Sequence, residues 1–124
     1  MIRERSVDDV TILEIVGRIT VEEGADLFRD AIRHLVAQGR VNIVVNFRDV
    51  PYVDSTALGE IVRAYTTMVR QDGLLKLLQV GGRVHELLAM TRLLSVFETF
   101  EAEAAAVESF RTLPPAPGAS AGRS

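Results

Sequence analysis

Residues 41–47 are almost continuously apolar, the pattern of a strand covered on both faces of a sheet. The stretch 10–16 is rich in β-branched residues and stops at Gly17. With the weaker run 2–7 it predicts two strands joined through Asp8-Asp9, a pair suited to a tight hairpin turn. Residues 74–80, entered through Asp72-Gly73, predict another strand, and 96–100 a last short one. Between these runs the apolar spacing changes from two to three and four. Residues 21–37 predict a helix on which Leu27 or Phe28, Ala31 or Ile32, and Leu35 recur, with Gly39 as its stop. Residues 56–71 carry the cleanest helical signal, since Leu58, Ile61, Val62, Tyr65, Met68 and Val69 fall on one stripe. A shorter helix follows Gly81-Gly82 and bears Val84, Leu87 and Leu88. Residues 101–111 predict a fourth, with Ala102, Ala106 and Phe110 on one side.

Strands alternating with helices after an early hairpin predict an α/β fold. It has a mostly parallel sheet of four to five strands, right-handed crossovers and about four helices. One domain is expected over 1–112. From residue 113 the composition turns to Pro, Ala, Gly and Ser with few apolar anchors, and 113–124 is expected to be a disordered tail.

Composition narrows the function classes. With 124 residues and 48% of them hydrophobic, the chain can bury a core without disulfides or metal staples. A net charge of -3 with no basic block offers little to a phosphate backbone, so direct nucleic-acid binding is not expected. The absence of cysteine excludes disulfide and thiol chemistry. No apolar run approaches the ~20 residues of a membrane span, and residues 1–6 lack the apolar stretch of a signal peptide. The expectation is a cytoplasmic protein without membrane insertion.

Candidate chemistry concentrates in Asn46-Phe47-Arg48-Asp49-Val50-Pro51-Tyr52-Val53-Asp54-Ser55-Thr56-Ala57-Leu58-Gly59, where a strand ends and the strongest helix begins. Hydroxyls there stand in the positive field of a helix N-terminus, which accommodates phosphate. Asp, Ser and Thr are also the preferred helix N-caps, which is the plainer account of the same three residues. Thr20 followed three residues later by Glu23 fits a capping box, with Thr20 as N-cap of the first helix. A catalytic serine is disfavoured because Val53 and Ala57 stand where a nucleophile elbow has glycines. His34 and His85 lie in predicted helices without a motif around them. Asp49 and Asp54 could share a Mg²⁺ ion, yet no third ligand is indicated, and turn and capping roles are favoured. Gly81-Gly82-Arg83 lacks the spacing and the Lys-Ser/Thr pair of a phosphate loop and is taken as a strand-to-helix turn. No enzymatic activity, metal or cofactor is expected.

From Gly17 to about Phe110 the chain resembles a STAS domain, specifically the bacterial anti-sigma factor antagonists. The 44–59 segment matches the family's progression of apolar strand, Asp-apolar, aromatic-apolar and Asp-Ser-Ser/Thr-Gly-Leu-Gly. Asp72-Gly73 before an apolar strand, and Val84, Leu87-Leu88, Thr91, Leu94 and Val96-Phe97, follow the rest of the pattern. The resemblance implies a regulatory protein whose phosphoacceptor is Ser55. Asp54, Thr56, Gly59, Asp49, Thr20 and Ala57 then belong to the switch region. The implied partners are an anti-sigma factor that is also an ATP-using serine kinase, bound by the unphosphorylated form, and a phosphatase that restores that form. Two positions depart from the pattern. Ala57 replaces the usual glycine, and Thr20 stands where many members have an aspartate. Alanine at 57 is expected to impair a close backbone approach there but to leave the fold intact, and the loss of charge at position 20 to act on phosphorylation more than on binding. A STAS subunit of a lipid-exporting ABC transporter or of a stressosome-like assembly is the alternative, and a small α/β enzyme using Ser55 or Asp54 ranks third.

Overall fold

The structure is a computed structural model that describes residues 1–111. Its elements run β1 (Ile2–Val7), β2 (Val10–Val16), α1 (Ala25–Ala37), β3 (Asn42–Asp49), α2 (Ser55–Arg70), β4 (Leu74–Leu78), α3 (Gly82–Met90), β5 (Thr99–Phe100) and α4 (Glu103–Arg111). They build one five-stranded sheet in the order β1-β2-β3-β4-β5. β1 pairs antiparallel with β2 through the Asp8-Asp9 turn, and every later pairing is parallel. The α/β architecture expected from the alternation of patterns is therefore the one adopted. The proposed tail, 113–124, lies outside the described residues.

Because the parallel strands advance in one direction across the sheet, crossovers of one hand bring α1, α2 and α3 to the same face. The main core forms there. Leu13 and Ile15 of β2, Ile43, Val45 and Phe47 of β3, and Leu75 and Leu77 of β4 meet Phe28, Ile32 and Leu35 of α1, Ile61 and Met68 of α2, and Val84 and Leu88 of α3. Alternate strand positions point the other way, as the two-residue period of a strand requires. On that face α4 lays Ala106 and Val107 against Val10, Ile12, Val44 and Leu78.

The start of α1, the buried stripe of α2 and the extent of the last strand differ most from the sequence expectation. α1 begins at Ala25, four residues later than its pattern suggested, and Thr20 is not its N-cap. The Thr-x-x-Glu spacing closes a separate turn instead. The Glu23 N–H donates to Thr20 Oγ1 at 3.1 Å, and the Thr20 N–H donates to the Glu23 carbonyl at 2.6 Å. Gly24, at φ 94, then redirects the chain into the helix. A side chain at that glycine would sit 2.8 Å from the Arg18 carbonyl oxygen. On α2 the stripe is rotated slightly: Ala57 and Ala64 join Leu58, Ile61 and Met68 in the core, whereas Val69 is exposed. The last strand keeps only Thr99–Phe100, because Phe97 turns inward and stacks edge-on against Tyr65, ring centroids 5.2 Å apart.

Candidate functional site

The polar segment after β3 is fixed by apolar anchors and by a backbone zipper to the loop after β2. Val50 and Val53 are buried, as is Ile19 across from them. The Ile19 N–H donates to the Tyr52 carbonyl at 3.0 Å, and the Asp54 N–H donates to the Ile19 carbonyl at 3.1 Å. Earlier in the same path the Gly17 N–H donates to the Asp49 carbonyl at 3.0 Å, where the β2–β3 register shifts. Two loops distant in sequence thus lie side by side at the C-terminal ends of parallel strands.

Asp54 is the N-cap of α2, in extended backbone conformation. Its Oδ1 accepts from the Ala57 N–H and its Oδ2 from the Val21 N–H, each at 2.8 Å. These two bonds, the one from Ala57 foremost, hold the carboxyl below the usual carboxylate range. One side chain therefore satisfies the first turn of α2 and tethers the β2–α1 loop to it. Ser55 is the first residue of the helix and is exposed, and its hydroxyl makes no hydrogen bond among the described residues. Thr56 beside it is also exposed, whereas Ala57 is fully buried and packs into the main core.

Beside Ser55 a depression of about 320 Å³ opens between the start of α2 and the outer side of α3. Tyr52, Val53, Asp54 and Ser55 form one wall, and Arg83, Glu86, Leu87 and Met90 the other. Two of its apolar side chains face water, Met90 being 81% exposed and Tyr52 38%, while Leu87 is half-buried and Val53 belongs to the core. The Tyr52 ring lies within reach of two guanidinium groups, with Arg18 Cζ 5.8 Å and Arg83 Cζ 6.0 Å from its centroid.

The switch residues named from sequence do not all converge here. Asp54, Ser55, Thr56 and Ala57 share the first turn of α2, and Gly59 lies on its exposed side. The Thr20 loop is adjacent, between Ile19 and Val21, which both bond Asp54, but the Thr20 side chain is buried and bonds Glu23 within its own turn. Asp49 lines a different hollow, shared with Arg3, Glu14, Asn46 and Arg48. His34 and His85 are exposed on α1 and α3, and neither lines the depression at Ser55. Among the described residues no group of three or more His, Cys, Asp or Glu is placed to hold a metal ion, and no helix is long and apolar enough to cross a membrane.

Sequence reasoning passed over Arg18, Glu86 and Met90, and took Leu87 only as part of the apolar face of its helix. Arg83 was legible only as part of a Gly-Gly turn, and nothing in the linear order links it to Ser55. Lys76 was missed as well. It is 4% exposed on β4, yet its ammonium donates to Ser109 Oγ at 2.9 Å, pairs with Glu98 at 2.9 Å and lies 4.5 Å from the Phe110 ring centroid.

Residues 2–106 match the family model of the STAS domain. A search of the curated proteins gives no match. Among solved structures, a Thermotoga maritima protein provisionally assigned as an anti-sigma factor antagonist is 26% identical. That alignment covers 89% of this chain and 94% of the other, with a TM-score of 0.83. The phosphorylated form of the Bacillus cell fate determinant SpoIIAA, an anti-sigma factor antagonist also solved unphosphorylated, is 15% identical over 88% of this chain and 98% of that one. Its TM-score is 0.71. A sulfate transporter family protein from Wolinella succinogenes has the same fold at 18% identity, covering 83% of this chain and 85% of the other, with a TM-score of 0.71. The match along nearly the whole described chain, on a sheet and helix order that agrees with it, makes this chain a member of the STAS domain family.

Proposed function

We propose that this STAS domain is an anti-sigma factor antagonist that regulates sigma-factor-dependent transcription through phosphorylation of Ser55. The observation that carries the reading is the free, exposed Ser55 hydroxyl on the first residue of α2, at the edge of a depression with exposed apolar walls. The unphosphorylated form binds an anti-sigma factor that is itself an ATP-using serine kinase. Tyr52, Leu87 and Met90 offer that partner apolar contact around the hydroxyl.

In the transfer step Ser55 Oγ attacks the γ-phosphorus of ATP held by the partner. The bond from that phosphorus to the ADP oxygen breaks, and the hydroxyl proton passes to a base on the kinase. ATP and serine become ADP and phosphoserine. The chain's contribution is to present the nucleophile: each Asp54 carboxylate oxygen accepts a backbone N–H, which fixes the turn and favours the ionised carboxylate. Phosphate adds about -1.5 to -2 charges at neutral pH, which the start of α2 tolerates but a surface fitted to a neutral hydroxyl does not. The complex is then released, and a phosphatase resets it.

The test is a pull-down from the native cell with Ser55→Ala and Ser55→Asp as baits. An anti-sigma kinase retained by the first and lost by the second is the expected result. Equal retention of a transporter or large assembly by both variants would instead make the chain a structural STAS subunit.

A further inference from the structure

We propose that Arg83, supported by Arg18, is a built-in receptor for the phosphoryl group on Ser55, so that phosphorylation clamps the start of α2 to α3 and closes the depression between them. The proposal rests on Ser55 being the phosphoacceptor and adds the group that receives the charge.

Arg83 and Ser55 line opposite walls of the same depression. Arg83 stands in the first turn of α3 and, like five other arginines among the described residues, forms no ion pair there. Its guanidinium is instead near the face of Tyr52, at 6.0 Å from the centroid, with Arg18 at 5.8 Å from the same ring. Arg18 is held only by a 3.9 Å approach to Glu23 with both side chains exposed, a pairing weak in water. Two cations are thus kept at Tyr52, three residues before Ser55 in sequence, on contacts that a phosphate dianion outcompetes. A charge-assisted guanidinium–phosphate pair is bidentate and roughly twice as strong as a neutral hydrogen bond, whereas an exposed cation–ring contact is weak.

The opposing charges are Asp54 and Glu86, which line the same depression. Asp54 is already neutralised in part by the Ala57 and Val21 N–H groups. Glu86 is the carboxylate the incoming phosphate meets without such cover, and an arginine on the same wall offsets it. The Arg83 guanidinium already reaches across the opening to Tyr52, and capture shifts it from that ring to the phosphate at the head of α2. A partner then loses the neutral hydroxyl and the apolar wall of Leu87 and Met90 together.

The experiment installs phosphoserine at position 55 during translation, which makes it independent of any kinase, and follows the phosphate by ³¹P NMR against pH. A free phosphoserine titrates near pH 6, and a guanidinium in contact lowers the midpoint by about one unit. The expected result is a lowered midpoint in the wild-type background, its return toward 6 in Arg83→Ala, and a further lowering in Glu86→Gln. Amide hydrogen exchange across α3 slows on phosphorylation only where Arg83 is present. Identical midpoints in the wild-type and Arg83→Ala phosphoproteins, with unchanged exchange in α3, would overturn the proposal. Failure of the switch itself reads out separately, as the absence of phosphate on Ser55 in protein recovered from its native cell.

Discussion

Asp54 is the residue on which the site's geometry turns, because its two oxygens bind N–H groups from two different elements. Asp54→Ala removes both bonds, and the variant is expected to unfold at lower urea and to loosen residues 18–24 as well as the start of α2, detectable by hydrogen exchange. The charge gives this effect a sign in pH. The folded carboxyl titrates below its unfolded value, so its stabilisation is present above about pH 3.9 and is lost as pH falls through the folded value. The stability gap between wild type and Asp54→Ala is therefore wide at neutral pH and narrows under acid, and a gap that widened on acidification would contradict this account. Three residues on, Ala57 shows why a departure from the family pattern is harmless to the fold. Its methyl is 0% exposed in the core, and alanine is the best helix former. Restoring the family's glycine by Ala57→Gly is expected to cost about 1 kcal/mol, measured by urea denaturation.

At the scale of elements, two contacts decide how neighbouring pieces meet. Gly73, between α2 and β4, packs so tightly on the start of β3 that an added Cβ would run into the Val41 carbonyl and Cβ. There the Leu74 N–H donates to the Val41 carbonyl at 3.0 Å, opening the β3–β4 ladder. Gly73→Ala must therefore shift backbone rather than a flexible side chain, and a loss of about 3 kcal/mol or more in thermal or urea unfolding is expected. On the opposite face, α4 is held by Lys76 under Phe110 and Ser109, and by Arg5 bonding Glu103. The lysine is nearly buried, but its partner Glu98 is largely exposed, so packing of the aliphatic stem outweighs the ion pair. Lys76→Met is accordingly expected to stay within about 1 kcal/mol of wild type, while Lys76→Ala loses about 2–3 kcal/mol. If the two variants were equally unstable, the charge rather than the stem would be holding α4.

At the scale of the molecule, α1 and α2 are locked over the sheet by a single continuous core in which Phe28 is 0% exposed. Phe28→Ala is expected to cost about 3–5 kcal/mol, which for a domain of marginal stability leaves a measurable unfolded fraction in a urea titration. The elements of this core were legible in the chain by itself, because period-two and period-three-to-four patterns reflect which residues can be buried together in a strand or helix. So were the α/β class, the hairpin at Asp8-Asp9 and the acid-hydroxyl pair at the head of α2. Local conformational detail was not: the Thr20–Glu23 spacing fits a cap or a free turn equally well, and only Gly24 and the docking of Ile19 on Val53 chose the turn. Lys76 was hidden for the same reason, since a charge in an apolar run says nothing of the two phenylalanines and the serine that cover it. The setting of Ser55 is the clearest division between the two sources. The sequence alone marked Ser55 by its helix start and its resemblance to a family motif. Arg83, Leu87 and Met90 came beside it only because parallel crossovers of one hand stack α2 and α3 on one face of the sheet, a relation between distant segments that no local pattern encodes.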